Sequence, residues 1–125
     1  MRLLLDSHVL IWWFAETRLA ADAATAISDP ANEIVISAAS VWELAIKLAV
    51  GRLEVDLDVL VTNVRKDRFT ELLITLEHAR TAGRLPLHHG DPFDRMLIAQ
   101  AQLEGLTIVT RDPLIQRYDV ATLPA

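Results

Sequence analysis

With 125 residues, 52% of them hydrophobic, and no cysteine, the chain is sized for one domain around one core. Disulfides, thiolate metal sites and thiol nucleophiles are excluded. The formal net charge of −5 argues against a protein that grips nucleic acid through a broad basic surface. No stretch approaches the roughly 18 consecutive apolar residues that a spanning helix requires. Asp6 interrupts the only apolar run near the N-terminus, so no leader is expected. The expectation is a cytoplasmic protein with a single domain over residues 1–125.

Leu3-Leu4-Leu5 predicts a short strand buried on both faces. Asp6 follows it, and a carboxylate is far costlier to bury unpaired than a leucine, so Asp6 is placed at the strand's exit. His8 to Ala15 is a strongly apolar segment that Ser7 can N-cap as a helix. Leu19 to Ile27 is Ala-rich and helix-prone, and Ser28-Asp29-Pro30 ends it. Glu33-Ile34-Val35-Ile36-Ser37 predicts a second strand. Ser40 to Val50 predicts a helix with Ser40 as N-cap and Gly51 as its stop. Leu57 to Lys66 is a more polar helix, Phe69 to Ile74 holds a short strand, and Leu76 to Ala82 is a helix stopped by Gly83.

Leu85 to Gly90 is a loop, with the adjacent His88-His89 read as loop residues. Asp91-Pro92 opens a helix, Asp as N-cap and Pro at the first helical position. It runs to about Glu104 and stops at Gly105. Leu106 to Thr110 is a strand, followed by Arg111-Asp112-Pro113, and Val120 to Leu123 is a candidate edge strand. Strands alternate with helices, which predicts an α/β protein with a parallel sheet covered on both faces.

Four acids can gather in such a fold. Asp6 and Asp112 fall just past strands, and Glu43 and Asp94 fall in what read as first turns of helices. In a parallel α/β sheet all four point to the carboxyl edge, where ligands bind. Each also has a structural reading. Ser40-x-x-Glu43 matches a capping box, and Glu43 is spaced i,i+4 from Lys47. Asp94 suits the helix dipole. Asp112 precedes a proline, as turn residues do. Asp6 can simply end a strand. Together the four would repel one another, and a divalent cation with a taste for hard oxygen ligands, Mg²⁺ or Mn²⁺, removes the conflict. The dipole is expected to favour the ionised forms of Glu43 and Asp94.

The spacing of Leu-Leu-Leu-Asp6-Ser-His-Val-Leu, Ser40-Val-Trp-Glu43-Leu-Ala-Ile-Lys, Asp91-Pro-Phe-Asp94-Arg-Met-Leu-Ile-Ala-Gln-Ala and Thr110-Arg-Asp112 resembles the PIN-domain ribonucleases. It is similar in particular to the toxin halves of type II toxin–antitoxin pairs of the VapBC kind. The resemblance runs over essentially the whole chain, and the Asp91 to Ala101 block is its most specific part. It implies a doubly wound α/β/α sandwich with a central, mostly parallel sheet of four to five strands. It also implies a Mg²⁺- or Mn²⁺-dependent endoribonuclease with Asp6, Glu43, Asp94 and Asp112 as metal-binding and catalytic acids. Ser7, Asp91 and Thr110 would be helpers that position a water or a ligand; Ser7 stands where threonine is the commoner residue. The implied partners are an RNA substrate, a cognate VapB-like antitoxin and a second copy of the chain.

Setting those four acids aside leaves 13 of the 17 acidic residues against 12 basic ones. The remaining surface is then close to neutral, and Arg95, Arg111 and Lys47 are candidates to guide RNA. Trp12, Trp13 and Phe14 cannot all face inward from one helix, so at least one is expected at an interface. Other phosphate enzymes fit less well. A dehalogenase-type phosphatase needs an Asp two residues after Asp6, where His8 stands, and no Gly-x-x-x-x-Gly-Lys phosphate loop is present. The non-enzymatic alternative is a PIN-like scaffold that binds RNA or a partner without cutting.

Overall fold

The computed structural model describes residues 1–125. The chain runs β1 (Arg2–Leu5), α1 (Ser7–Ala15), α2 (Ala21–Ser28), β2 (Glu33–Ser37), α3 (Ala38–Ala49), α4 (Leu57–Lys66), β3 (Thr70–Leu72), α5 (Leu76–Arg84), α6 (Pro92–Glu104), β4 (Thr107–Thr110), a 3₁₀ turn (Ile115–Arg117) and β5 (Thr122–Pro124). The five strands form one sheet in the order β3-β2-β1-β4-β5, and every pairing is parallel. Helices cover both faces, which is the expected doubly wound sandwich, with the expected edge strand present as β5.

β1 lies at the centre, and its side chains alternate between the two faces. Leu3 and Leu5 enter the core formed with Val9, Leu10, Ile27, Ile36, Leu44 and Leu60. Leu4 enters the opposite core with Leu97, Ile98, Ile108, Ile115 and Tyr118. All three leucines are completely buried, as a strand covered on both faces requires. The order of the strands reverses direction at β1, because the chain winds from β1 toward β2 on one side and returns to β4 on the other. This switch point opens a crevice at the carboxyl edge of the sheet.

Several local expectations change. The N-cap of α1 is Asp6, whose carboxylate accepts from the His8 backbone N–H, and Ser7 is the first helical residue. The N-cap of α3 is Ser37, whose Oγ accepts from the Ala39 N–H. The helix therefore begins without a loop as β2 ends, and Ser40 lies inside it with a buried hydroxyl that has no hydrogen-bond partner. The Ser40–Glu43 capping box does not form, and Glu43 is beyond the first turn. The end of the strand, not the Ser-x-x-Glu signature, sets where the helix starts. Gly83 is inside α5, which runs one residue further to Arg84. The expectations for α6 hold: Asp91 caps it through the Phe93 and Asp94 N–H groups, Pro92 opens it, and Gly105 closes it in the left-handed conformation at φ 67°.

No helix is long and apolar enough to cross a membrane. Leu4 is wholly buried at the centre of the sheet, so Leu4→Ala should cost about 2–5 kcal/mol. Equilibrium urea unfolding followed by circular dichroism measures that loss.

Candidate active site

The crevice at the switch point collects the four acids. Asp6 leaves the end of β1, Asp112 follows β4, Glu43 comes from α3 and Asp94 from the first turn of α6. Asp6, Glu43 and Asp94 are buried and Asp112 is half-buried. Hydroxyl groups tie three of the four together around Asp6. Thr110 Oγ1 donates to Asp6 Oδ2 at 2.8 Å and accepts from the Asp112 N–H at 3.1 Å. Ser7 Oγ lies 3.0 Å from Glu43 Oε1 and 3.3 Å from Asp6 Oδ1, so its single hydrogen is best aimed at Glu43. Lys47 Nζ pairs with the other Glu43 oxygen at 2.9 Å, as the i,i+4 spacing predicts. Ser7 and Thr110, the helpers that the resemblance implies, are thus in contact with the acids. Asp91 spends one carboxylate oxygen on the cap of α6. Asp112 Oδ1 accepts from the Leu114 N–H at 2.9 Å, so its turn role and its place beside the acids coexist.

Asp94 stands apart from this hydroxyl web and carries the largest electrostatic strain. Burial, then the charges of Asp91, Asp6, Asp112 and Glu43, push its carboxyl up to about 8. The expected benefit of the helix dipole does not prevail: desolvation and four nearby carboxylates outweigh one turn of backbone N–H groups. The partner of Asp94 is His89, whose Nε2 lies 3.1 Å from Asp94 Oδ2. His89 lies in the loop before α6, as expected from sequence, but its side chain is only 9% exposed. Its Nδ1 lies 2.8 Å from the hydroxyl of Tyr118.

Arg95 also has a different role from the one expected. It is buried, and its guanidinium donates to the carbonyls of Ala82, Leu85 and Pro86 at 3.0, 3.0 and 2.8 Å, and to the Tyr118 hydroxyl at 3.2 Å. It binds the carbonyls at the end of α5 and the start of the loop that carries His89, and it is not available to guide RNA. Arg111 donates to the Ala125 and Arg18 carbonyls and lies 4.4 Å above the Trp12 ring. His89, Tyr118 and the loop-binding role of Arg95 left no signal in the sequence beyond a histidine two residues before the Asp91 cap.

A family model described as the PIN domain matches residues 3–121. This chain belongs to the PIN-domain family. It is 36% identical over 117 residues to a protein named Ribonuclease VapC22 from Mycobacterium tuberculosis, covering 92% of this chain and 90% of that protein. Its fold is similar to the crystal structure of VapBC2 from Rickettsia felis bound to a DNA fragment from their promoter, with a TM-score of 0.73, 14% identity and 98% of each chain covered. A toxin–antitoxin complex from Klebsiella pneumoniae gives a TM-score of 0.68 at 22% identity, covering 98% of this chain and 96% of that one.

The donor set of this PIN domain suits a hard divalent cation, since carboxylate and hydroxyl oxygens dominate it and no thiolate is present. The raised carboxyl of Asp94 is the mark of negative charge that a cation would offset. No three of the His, Asp and Glu side chains close around a common point tightly enough to enclose an ion by themselves.

The shift at Asp94 has a definite consequence for the metal-free protein. Between about pH 4 and pH 8 the folded protein keeps a proton on Asp94 that the unfolded chain has released. The folded state binds more protons in that window, so this contribution to stability is complete below the ordinary carboxylate range and is lost as pH rises to about 8. In EDTA, wild type should lose stability relative to Asp94→Asn as pH rises from 4 to 8, with Asp94→Asn at least as stable at the upper end. Urea titrations of both proteins across this range give the difference. A large loss of metal-free stability in Asp94→Asn at pH 8 would contradict the repulsion.

Proposed function

We propose that this PIN domain is a divalent-metal-dependent endoribonuclease, the toxin of a type II toxin–antitoxin pair, which hydrolyses RNA phosphodiester bonds and so inhibits translation and growth in the cytoplasm. The observation that carries the reading is the meeting of Asp6, Glu43, Asp94 and Asp112 at the switch point, three of them joined through the hydroxyls of Ser7 and Thr110. The 36% identity to a ribonuclease named VapC22 over nearly the whole chain supports it.

Asp6, Glu43 and Asp94 would hold Mg²⁺ or Mn²⁺, and Asp112 would complete or tune the site. When bound, such a cation stabilises charge on a phosphodiester and activates an attacking water. The rest is the work of the chain. Thr110 and the His8 backbone N–H fix the rotamer of Asp6, so that the central carboxylate does not have to be ordered on binding. Lys47 offsets one unit of the negative charge at Glu43. The near-neutral remainder of the protein lets the phosphate backbone approach without a strong opposing field.

The antitoxin reading is supported by apolar surface on the same helix that carries Glu43. Trp42 and Ile46 on α3 and Val50 at its C-cap are exposed at i, i+4 and i+8, which makes one apolar stripe. Beside it lies an apolar cavity of about 350 Å³ lined by Val41, Trp42, Ala45, Val61, Val64 and Phe69, among others. A partner with a hydrophobic segment would cover this surface. Trp12, Trp13 and Phe14 are half-buried against the core and line a separate cavity of about 480 Å³ with Glu16 and Arg18; a second copy of the chain would cover these aromatic rings.

Structured RNA incubated with the purified protein should be cut in Mg²⁺ or Mn²⁺ and left intact in EDTA, with 5′-phosphate and 3′-hydroxyl ends on the products. Asp6→Asn should lower the rate at least about 10²-fold, the low end of what one positioned catalytic group contributes. Products ending in a 2′,3′-cyclic phosphate would point to attack by the RNA's own hydroxyl and overturn the hydrolytic mechanism. RNA binding without cleavage under any divalent cation would leave a non-catalytic binding module.

A further inference from the structure

We propose that His89, itself held by Tyr118, is a positioning residue that fixes the direction of the Asp94 carboxylate in the site. This rests on the reading of Asp94 as a metal-holding acid. Asp94 is the one acid of the four that neither Ser7 nor Thr110 touches, and the only side-chain group bonded to its carboxylate is the imidazole of His89. The alignment of Asp94 therefore depends on how the imidazole is held.

The imidazole is held from behind. The Tyr118 hydroxyl receives N–H groups from Arg95, at 3.2 Å, and from the His89 backbone, at 3.3 Å. Its own hydrogen can go to His89 Nδ1 at 2.8 Å or to the His89 carbonyl at 3.4 Å. The shorter bond takes it, so Nδ1 is the acceptor and a ring hydrogen resides on Nε2. That hydrogen points at Asp94 Oδ2. One oxygen of Asp94 is thereby tied down, and Oδ1 is left with no protein partner. Arg95 completes the support by binding the carbonyls of Ala82, Leu85 and Pro86, so the loop bearing His89 cannot drift. Tyr118 belongs to the core on the α6 face of the sheet, which makes the chain Tyr118–His89–Asp94 a rigid strut from the core to the site. Outer partners of this kind orient metal-holding side chains and commonly change metal affinity 10–100-fold when removed.

Isothermal titration with Mn²⁺, at a temperature where every variant is folded by near-ultraviolet circular dichroism, tests the proposal together with RNA cleavage kinetics. His89→Ala should weaken Mn²⁺ binding about 10–100-fold. Tyr118→Phe, which keeps the ring and its packing, should weaken it in the same direction by less. His89→Gln should recover part of the loss, because a glutamine amide N–H can take the place of Nε2–H. In RNA cleavage at fixed Mn²⁺ the loss should fall on kcat, with KM for RNA little changed. A role confined to packing would lower thermal stability and leave the Mn²⁺ affinity of the folded variants as in wild type; that result in both His89→Ala and Tyr118→Phe would overturn the proposal. If His89→Ala does not fold, Tyr118→Phe decides alone. Wild type and Asp94→Asn answer separately for the site: Mn²⁺ binding that wild type shows and Asp94→Asn loses upholds the role of Asp94, whatever the His89 variants do. Absence of Mn²⁺ binding by wild type would overturn that role, and with it the proposal for His89.

Discussion

Mutual repulsion among carboxylates gathered at one edge of a parallel sheet is the constraint to which the surrounding structure answers. Asp91, Asp6, Asp112 and Glu43 all act on Asp94, which is buried beside them and holds a proton up to about pH 8. A fold that keeps such a group without collapse has to bind each member individually. Thr110 and the His8 N–H hold Asp6, Ser7 and Lys47 hold Glu43, the backbone cap of α6 holds Asp91, and His89 holds Asp94. Every one of these bonds reduces the freedom of a side chain that would otherwise turn toward water. The cost in electrostatic energy is accepted where function demands a site with negative potential.

The sheet supplies the rigidity. β1 is paired on both edges and covered on both faces, and its last residue before the site, Leu5, is wholly buried. Asp6 has little freedom to move once Leu3, Leu4 and Leu5 are packed. The position of the switch point at β1 then brings the end of β4 and the starts of α1, α3 and α6 to the same place. The four acids come from four separate elements, and this is why the site is a property of the fold more than of any segment.

Two devices link the site to the rest of the molecule. Arg95 lies one residue beyond Asp94 and turns the other way, into the carbonyls that end α5 and begin the following loop. It stabilises a loop without regular structure, because a buried guanidinium with several carbonyl partners is well satisfied. The exposed stripe of Trp42, Ile46 and Val50 leaves α3 with two working faces. Glu43 points into the acid site while its neighbour Trp42 faces outward, edge-on to Phe93 at 5.2 Å. A partner docked on that stripe would sit one residue from two of the acids, Glu43 and Asp94.

The sequence by itself determined the alternation of strands and helices, because period, β-branching, proline and glycine act locally. β2 and the close of α6 at Gly105 fall where local signals place them, and so does the Asp91-Pro92 start. It also singled out the four acids, through their positions after strands and near helix starts and through the resemblance of their spacing. What it misjudged was set by long-range neighbours. Ser37 displaced Ser40 as a cap because the end of β2 fixes where α3 begins. Arg95 looked like a surface charge, and the loop position of His89 gave no sign of its bond to Asp94, since nothing local announces Tyr118, 23 and 29 residues away. Only the tertiary structure decided which carboxylate is protonated and which side chain aims it, because desolvation and through-space charge depend on packing that no short stretch of sequence contains.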